Sequence, residues 1–253
     1  MNLRSPLIAE DVGVRHGSLD ALVDVSLVFG TGTATALMGA NGSGKTTLLD
    51  CLAGLRAPSS GSVETNGHEI AYVRQHLPDR WMPLTVREVV TMGRYGRAGL
   101  IGRLRAADFD SIDAAAGRLD VVDLFSRQFG ELSGGQRQRV MVAQTLASDP
   151  TALLLDEPLT GLDIPSQERI LTVIAEEEER GTVVVLSTHH LDEARHCDQV
   201  ALLAGRVVAI GSPDEVLVPE LLRETFGARI LGDHSGHDHD HELLVLDDHG
   251  HDH

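Results

Sequence analysis

The residues Gly39-Ala-Asn-Gly-Ser-Gly44-Lys45-Thr46 decide the fold of this 253-residue chain. An apolar run, Ala34–Met38, precedes them, and a segment with helical periodicity, Thr47–Leu55, follows them. The pattern G-x-x-x-x-G-K-S/T between a strand and a helix is typical of a loop that binds nucleotide phosphates. Lys45 is the only lysine in the sequence, so shuffling this composition produces the pattern on the order of 10⁻³ times per chain. A glycine-rich turn that binds nothing is the alternative interpretation.

The chemistry of this loop follows from its residue types. Glycines without a Cβ let successive backbone N–H groups close on phosphate oxygens, and the helix start adds the positive end of its dipole. Lys45 is expected to reach the β- and γ-phosphates, and Thr46 to ligate Mg²⁺. The residues expected to contact the nucleotide here are Gly39, Asn41, Gly42, Ser43, Gly44, Lys45, Thr46 and Thr47.

Short aliphatic runs alternate with longer helical patterns, and this order predicts an α/β fold with a parallel sheet. Residues 83–130 have helical periodicity and little strand signal, so we expect an inserted helical subdomain that extends to about residue 140. The predicted strands are Ala34–Met38, Ile70–Val73, Ala152–Leu155, Val183–Ser187 and Val200–Leu203, and the second predicted helix is Ser133–Ala147.

Composition and charge argue against several classes of protein. The chain carries 38 acidic and 21 basic residues, a formal net charge of -17, which disfavours nucleic acid as a partner. The longest apolar run, Val200–Ala204, is far short of the roughly 20 residues that span a bilayer, and the N-terminus lacks a signal pattern. Cys51 and Cys197 have no C-x-x-C spacing, as expected of reduced thiols. We therefore expect an intracellular chain.

An acidic pair follows the third predicted strand. The run Ala152–Leu155 delivers Asp156 and Glu157 to the carboxyl end of that strand, where open α/β sheets bind their ligands. Asp156 suits Mg²⁺, directly or through water, and Glu157 suits polarising an attacking water molecule. A solvated strand end is the alternative, which the neighbouring phosphate loop makes less favourable.

A second acidic run, Glu176–Glu179, is followed by Arg180. Its spacing predicts a solvated helix end with an ion pair between Glu176 and Arg180, which lie one turn apart. We do not expect a metal site there.

Leu132-Ser133-Gly134-Gly135-Gln136, with the phosphate loop, the acidic pair and a histidine after the next strand, resembles the nucleotide-binding subunits of ABC transporters. The resemblance extends over about residues 7–215. It implies a P-loop NTPase fold, with a RecA-like parallel sheet core, an N-terminal antiparallel β region and the inserted helical subdomain. The ATPase domain would then span residues 1–232.

The resemblance implies roles for residues outside the phosphate loop. Gln75 is similar to the Q-loop glutamine that touches Mg²⁺ and senses the membrane partner. Gly161-Leu-Asp163 resembles the D-loop, and Ser187-Thr-His189 resembles the switch-histidine loop that contacts the γ-phosphate. Glu157, His189 and Gln75 would then be the catalytic residues. His16 occupies the position where the family usually stacks an aromatic residue on adenine; a plain surface histidine is the alternative.

Ser133-Gly134-Gly135-Gln136 form a second candidate phosphate-binding helix start, although a small domain rarely needs two for one nucleotide. In the family this edge of one subunit closes over ATP held by the other. The resemblance therefore implies a head-to-tail homodimer with two ATP molecules, or a heterodimer if a paralogue exists. It also implies a membrane permease, an extracytoplasmic metal-binding protein, and a position on the cytoplasmic face of the membrane.

Two segments bear on what is transported. The stretch from Met82 to Gly96 resembles the manganese, zinc and iron uptake group. An ABC ATPase for another solute, and a soluble ABC protein of DNA repair or translation control, are the alternative functions.

The tail, residues 233–253, holds seven histidines, seven acidic residues and no Lys or Arg. In an extended chain alternating histidines fall on one side and can share an ion, and imidazole favours Zn²⁺ over Mn²⁺. We therefore expect a zinc importer, with a solvating tail or a purification artefact as alternative interpretations of the tail. The histidines predicted to bind zinc are His237, His239, His241, His249, His251 and His253.

Overall fold

The computed structural model describes residues 5–74, 83–98 and 103–227. Gln75 and the six candidate zinc-binding histidines, His237, His239, His241, His249, His251 and His253, lie outside the described residues. Their predicted roles therefore rest on the sequence.

The described residues form two sheets and the helices around them. The strands are β1 (Leu7–His16), β2 (Leu19–Phe29), β3 (Thr33–Met38), β4 (Ser60–Glu64), β5 (Ile70–Val73), β6 (Ala152–Asp156), β7 (Val183–Thr188), β8 (Gln199–Leu203) and β9 (Val207–Gly211). The helices are α1 (Lys45–Leu52), α2 (Val86–Ala98), α3 (Ala106–Arg118), α4 (Gly134–Ala147), α5 (Ile164–Glu179), α6 (Leu191–Arg195), α7 (Pro213–Val216) and α8 (Pro219–Phe226), with short 3₁₀ turns at Val122–Leu124 and Phe129–Glu131.

The larger sheet has the strand order β5-β6-β7-β3-β8-β9, and its strands pair in parallel except at β8 and β9. Every residue of β6 and β7 is buried, as expected of parallel strands covered on both faces. Leu153 and Leu155 face the helical layer, whereas Ala152 and Leu154 face the layer of α1 and the smaller sheet. The predicted α/β fold with a parallel core is confirmed.

The smaller sheet has the order β2-β1-β4 and is antiparallel, so the expected N-terminal antiparallel β region is also confirmed. Four strands were not predicted by residue: β1 and β2, which belong to the expected N-terminal region, and β4 and β9. β4 follows α1 in sequence yet pairs with β1, and β9 adds an antiparallel edge to the parallel sheet.

The acidic run at the end of α5 pairs with a different element from the one expected. Arg118 of α3 places Nε 2.6 Å from Glu176 and Nη1 2.5 Å from Glu177. Arg180 instead lies 3.6 Å from Glu177 and 3.4 Å from Asp149. The predicted Glu176–Arg180 pair is therefore wrong, because a guanidinium from another helix takes the Glu176 carboxylate.

Helices α2 and α3 both pack on α4, and Gly93 of α2 lies directly against α4. A Cβ at Gly93 would collide with the backbone carbonyl of Gln144, whereas a Cβ at Gly96 of the same helix would meet nothing within 4 Å. The close approach of these two helices therefore depends on the missing side chain at Gly93.

We expect Gly93→Ala to lower the free energy of unfolding by about 1–3 kcal/mol, because α2 must move off α4. Gly96→Ala is the matched control and should raise it by up to about 1 kcal/mol through helix propensity. Urea unfolding of both variants measures the difference. Equal effects of the two substitutions would contradict the packing described.

Candidate active site

The phosphate loop connects the carboxyl end of β3 to α1, which begins at Lys45. Gly44 precedes the helix in a left-handed conformation with φ of 99°, and a Cβ there would strike the Leu22 side chain. A Cβ at Gly39 would strike the backbone carbonyl of Leu203. Both positions therefore require glycine, and the bare backbone keeps the loop open to a ligand.

Two buried polar groups inside the loop fit phosphate oxygens. The Lys45 ammonium, on a residue only 5% exposed, donates to the carbonyls of Gly39 and Ala40 at 2.7 and 3.2 Å. Burial lowers the pKa of Lys45 from its ordinary value, and the charges of Glu157 and Asp156 oppose that shift. Ser43 Oγ is buried with no hydrogen-bond partner among the described residues. A cation and an unsatisfied hydroxyl beside a helix N-terminus fit an anionic phosphate chain.

Asp156 lies at the end of β6 and is 2% exposed. Its Oδ2 accepts hydrogen bonds from Thr46 Oγ1 at 2.9 Å and from the Tyr72 hydroxyl at 3.4 Å. Its Oδ1 accepts a hydrogen bond from Ser187 Oγ at 2.5 Å. Burial beside Asp156 raises the pKa of Tyr72, so the phenol keeps its proton and donates. A hydroxyl and a carboxylate in contact at the loop are the oxygen ligands that suit Mg²⁺.

Glu157 follows Asp156 and adopts a left-handed backbone conformation with φ of 47°. Its Oε1 lies 3.6 Å from His189 Nδ1, and its backbone N–H donates to Ser187 Oγ at 2.9 Å. The interaction with His189 is the main cause that holds the pKa of Glu157 below its ordinary value, against the effect of burial. Glu157 is therefore ionised at neutral pH and can accept a proton.

The starts of α4 and α5 form a second cluster. Ser133 caps α4: its Oγ accepts from the Gln136 N–H at 3.2 Å, and Gln136 Oε1 accepts from the Ser133 N–H at 3.1 Å. Asp163 caps α5 by accepting from the Ser166 N–H at 2.9 Å, and its hydrogen bonds with Ser166 lower its pKa. A Cβ at Gly135 would lie 2.6 Å from Ser166 Oγ, so the two helix starts touch. The side-chain hydrogen bonds of Ser133 and Asp163 are made to their own helices.

The structure thus gathers the predicted residues into two groups. Lys45, Thr46, Asp156, Glu157 and His189 meet at the carboxyl ends of β3, β6 and β7. The other group is Ser133, Gly134, Gly135, Gln136 and Asp163. Outside both groups, His16 is exposed at the end of β1 and pairs with Leu19 across the turn.

The sequence analysis missed the contacts of Ser187 and Tyr72 with Asp156. A signal for the first was present, because Asp156 and Ser187 each come directly after a buried aliphatic run and pair in register. No comparable signal marked Tyr72, because aromatic residues are common in β-strands whether or not they have a function.

None of the helices in residues 5–74, 83–98 and 103–227 is long and apolar enough to cross a membrane. In those same ranges no three His, Cys, Asp or Glu side chains form a group that could hold a metal ion.

Comparison with known proteins identifies the family. A family model described as ABC transporter matches residues 22–160, which include the phosphate loop, the Ser133 helix start and the acidic pair. The chain belongs to the ABC transporter family. As an ATP-binding subunit of that family it is an ATPase that powers transport.

This ABC transporter subunit is similar to two curated proteins over most of their lengths. It is 35% identical over 234 residues to the manganese transport system ATP-binding protein MntB of Bacillus subtilis, covering 89% of this chain and 94% of that protein. It is 40% identical over 234 residues to the hemin import ATP-binding protein HmuV of Nocardia farcinica, covering 87% and 80%.

Among solved structures, the ABC transporter subunit resembles a chain in the inward-facing conformation of a metal-chelate type ABC transporter. The TM-score is 0.80, the identity is 28%, and 88% of each chain is covered. The fold is therefore that of ATP-binding cassettes.

Proposed function

We propose that this chain is the nucleotide-binding subunit of an importer for metal ions or metal chelates, with zinc as the favoured ion. The observation that carries the ATPase part is the group at the ends of β3, β6 and β7. There the phosphate loop contacts Asp156, and Glu157 faces His189. The names of the relatives, which refer to manganese and hemin, support the cargo class.

Each residue of that group has a distinct task. The loop N–H groups and Lys45 bind the β- and γ-phosphates and fix their position. Thr46, Asp156 and, by resemblance, Gln75 would hold Mg²⁺, which when bound neutralises charge on the transferred phosphoryl group. Three hydroxyl groups already hold the Asp156 carboxylate, so it needs little rearrangement to bind Mg²⁺.

Glu157 is the general base for hydrolysis. Its ionised carboxylate accepts the proton of the attacking water. His189 faces that carboxylate and, by resemblance, would contact the γ-phosphate. Because the phosphate loop and the Ser133 helix start are separate groups in one chain, we infer that a second copy supplies its Ser133 edge. Its closure would exclude bulk water from the γ-phosphate.

Replacing Glu157 by Gln keeps the shape of the side chain and removes the base. We expect turnover to fall by about 10² or more, while ATP binding persists and an ATP-bound dimer accumulates. Steady-state ATPase assays and sedimentation in ATP and Mg²⁺ measure both effects. Glu179→Gln makes the same change at an exposed position at the end of α5 and should leave turnover near that of the wild type. A variant that sediments only as a monomer would contradict the proposed site.

The cargo is the finer part of the proposal. The subunit would lie on the cytoplasmic face of the membrane, bound to a permease that receives metal from an extracytoplasmic binding protein. The alternating histidines of the tail favour Zn²⁺. The metal content of a deletion strain tests this choice. Loss of zinc would support zinc as the cargo, whereas loss of manganese or hemin iron alone would contradict zinc and indicate that metal instead.

Deleting residues 233–253 should remove most zinc binding and leave basal ATPase activity near that of the wild type, because none of the active-site residues lies in the tail. Zinc binding to the full chain should weaken as the pH falls through roughly 6.5, because only neutral imidazole binds metal. Calorimetry measures the stoichiometry. A full-length variant with Asn at the six predicted zinc-binding histidines is the matched control and should behave like the deletion. Equal zinc stoichiometry in all three proteins would refute the metal-binding tail.

A further inference from the structure

We propose that Ser187 is a positioning residue that sets the direction of the Glu157 carboxylate. The proposal rests on the role of Glu157 as general base. The hydroxyl of Ser187 carries out this role, which is separate from the role of the neighbouring His189.

The Ser187 hydroxyl stands between the two acidic residues. It is completely buried on β7, directly opposite Asp156 in the parallel pairing of β6 with β7. Its Oγ donates to Asp156 Oδ1 at 2.5 Å and accepts from the Glu157 N–H at 2.9 Å. A carboxylate only accepts and an amide N–H only donates, so both bonds can form with one orientation of the hydroxyl. Asp156 therefore fixes the Ser187 hydrogen, which leaves a lone pair for Glu157.

The backbone of Glu157 needs such a partner. Its φ of 47° lies in the left-handed region that residues with a side chain rarely occupy. Such conformations persist only where the surroundings over-determine them, and they cluster at functional sites. Here the bond to Ser187 fixes the amide of the residue whose carboxylate must face His189, 3.6 Å away. Without that bond the peptide can relax and turn the carboxylate away.

Asp156 depends less on Ser187 than Glu157 does. Its other oxygen keeps the hydrogen bonds from Thr46 and Tyr72 when the Ser187 hydroxyl is removed. The loss should therefore fall on the chemical step and not on binding of the nucleotide with Mg²⁺. A loss confined to the chemical step indicates that Ser187 positions Glu157. A loss of nucleotide binding as well would indicate that Ser187 only supports the sheet.

The test is Ser187→Ala in the full-length chain. We expect kcat to fall about 10- to 100-fold, as for a catalytic group displaced by about 1 Å, while KM and the binding affinity for ATP with Mg²⁺ change by less than about threefold. Sedimentation in ATP and Mg²⁺ should show the ATP-bound dimer accumulating. Thr35→Val is the matched control: it removes another fully buried hydroxyl, on β3, and should leave kcat within about twofold of the wild type.

A double-mutant cycle with Glu157→Gln gives the deciding readout. If Ser187 acts through Glu157, adding Ser187→Ala to Glu157→Gln should slow single-turnover hydrolysis by less than about threefold. The same fold-loss in both backgrounds, or a kcat for Ser187→Ala equal to that of Thr35→Val, would overturn the proposal. Absence of ATP hydrolysis by the wild-type chain would instead overturn the function on which it rests.

Discussion

Parallel pairing of β6 with β7 is the constraint on which the active site depends. The register places Asp156 opposite Ser187. Glu157 and His189, the first residues after the ends of β6 and β7, then face each other. A parallel register is held by burial of both faces, because a slip of one residue would exchange the side chains of the two layers. Burial of Leu153 and Leu155 on one face and of Ala152 and Leu154 on the other therefore fixes the register that brings Asp156 opposite Ser187.

The same sheet explains why the phosphate loop and the Ser133 helix start form two separate groups. β3 ends in the phosphate loop beside β7, whereas the Ser133 helix start packs against the start of α5 through Gly135 and Ser166. The Ser133 and Asp163 side chains each accept one N–H bond from their own helix, and the other N–H groups of a first helical turn have no partner within the helix. Two copies arranged head to tail would bring opposite halves together and form two equivalent sites.

The sequence predicted the parts of the molecule whose signal is local. The phosphate loop and the aliphatic strands beside it were identified because each is encoded within a few consecutive residues. β4 was missed because Ser60–Glu64 is polar and becomes a strand only through pairing with β1. The Glu176–Arg180 pair was wrong for a related reason, since Arg118 is distant in sequence and close in space. The role now proposed for Ser187 likewise depends on a cross-strand neighbour.

In the proposed dimer, each ATP site combines the phosphate loop of one copy with the Ser133 helix start of another. Lys45→Ala disables the first half, since no other lysine exists to replace its charge. Gly134→Asp disables the second, because the added carboxylate repels phosphate yet enters open space at a helix start that tolerates acidic residues. The most direct measurement is ATPase activity of the two variants alone and mixed. Each alone should be inactive, and an equal mixture should regain about a quarter of wild-type activity, because half of the dimers then contain one intact site. A mixture no more active than its components would contradict the shared site.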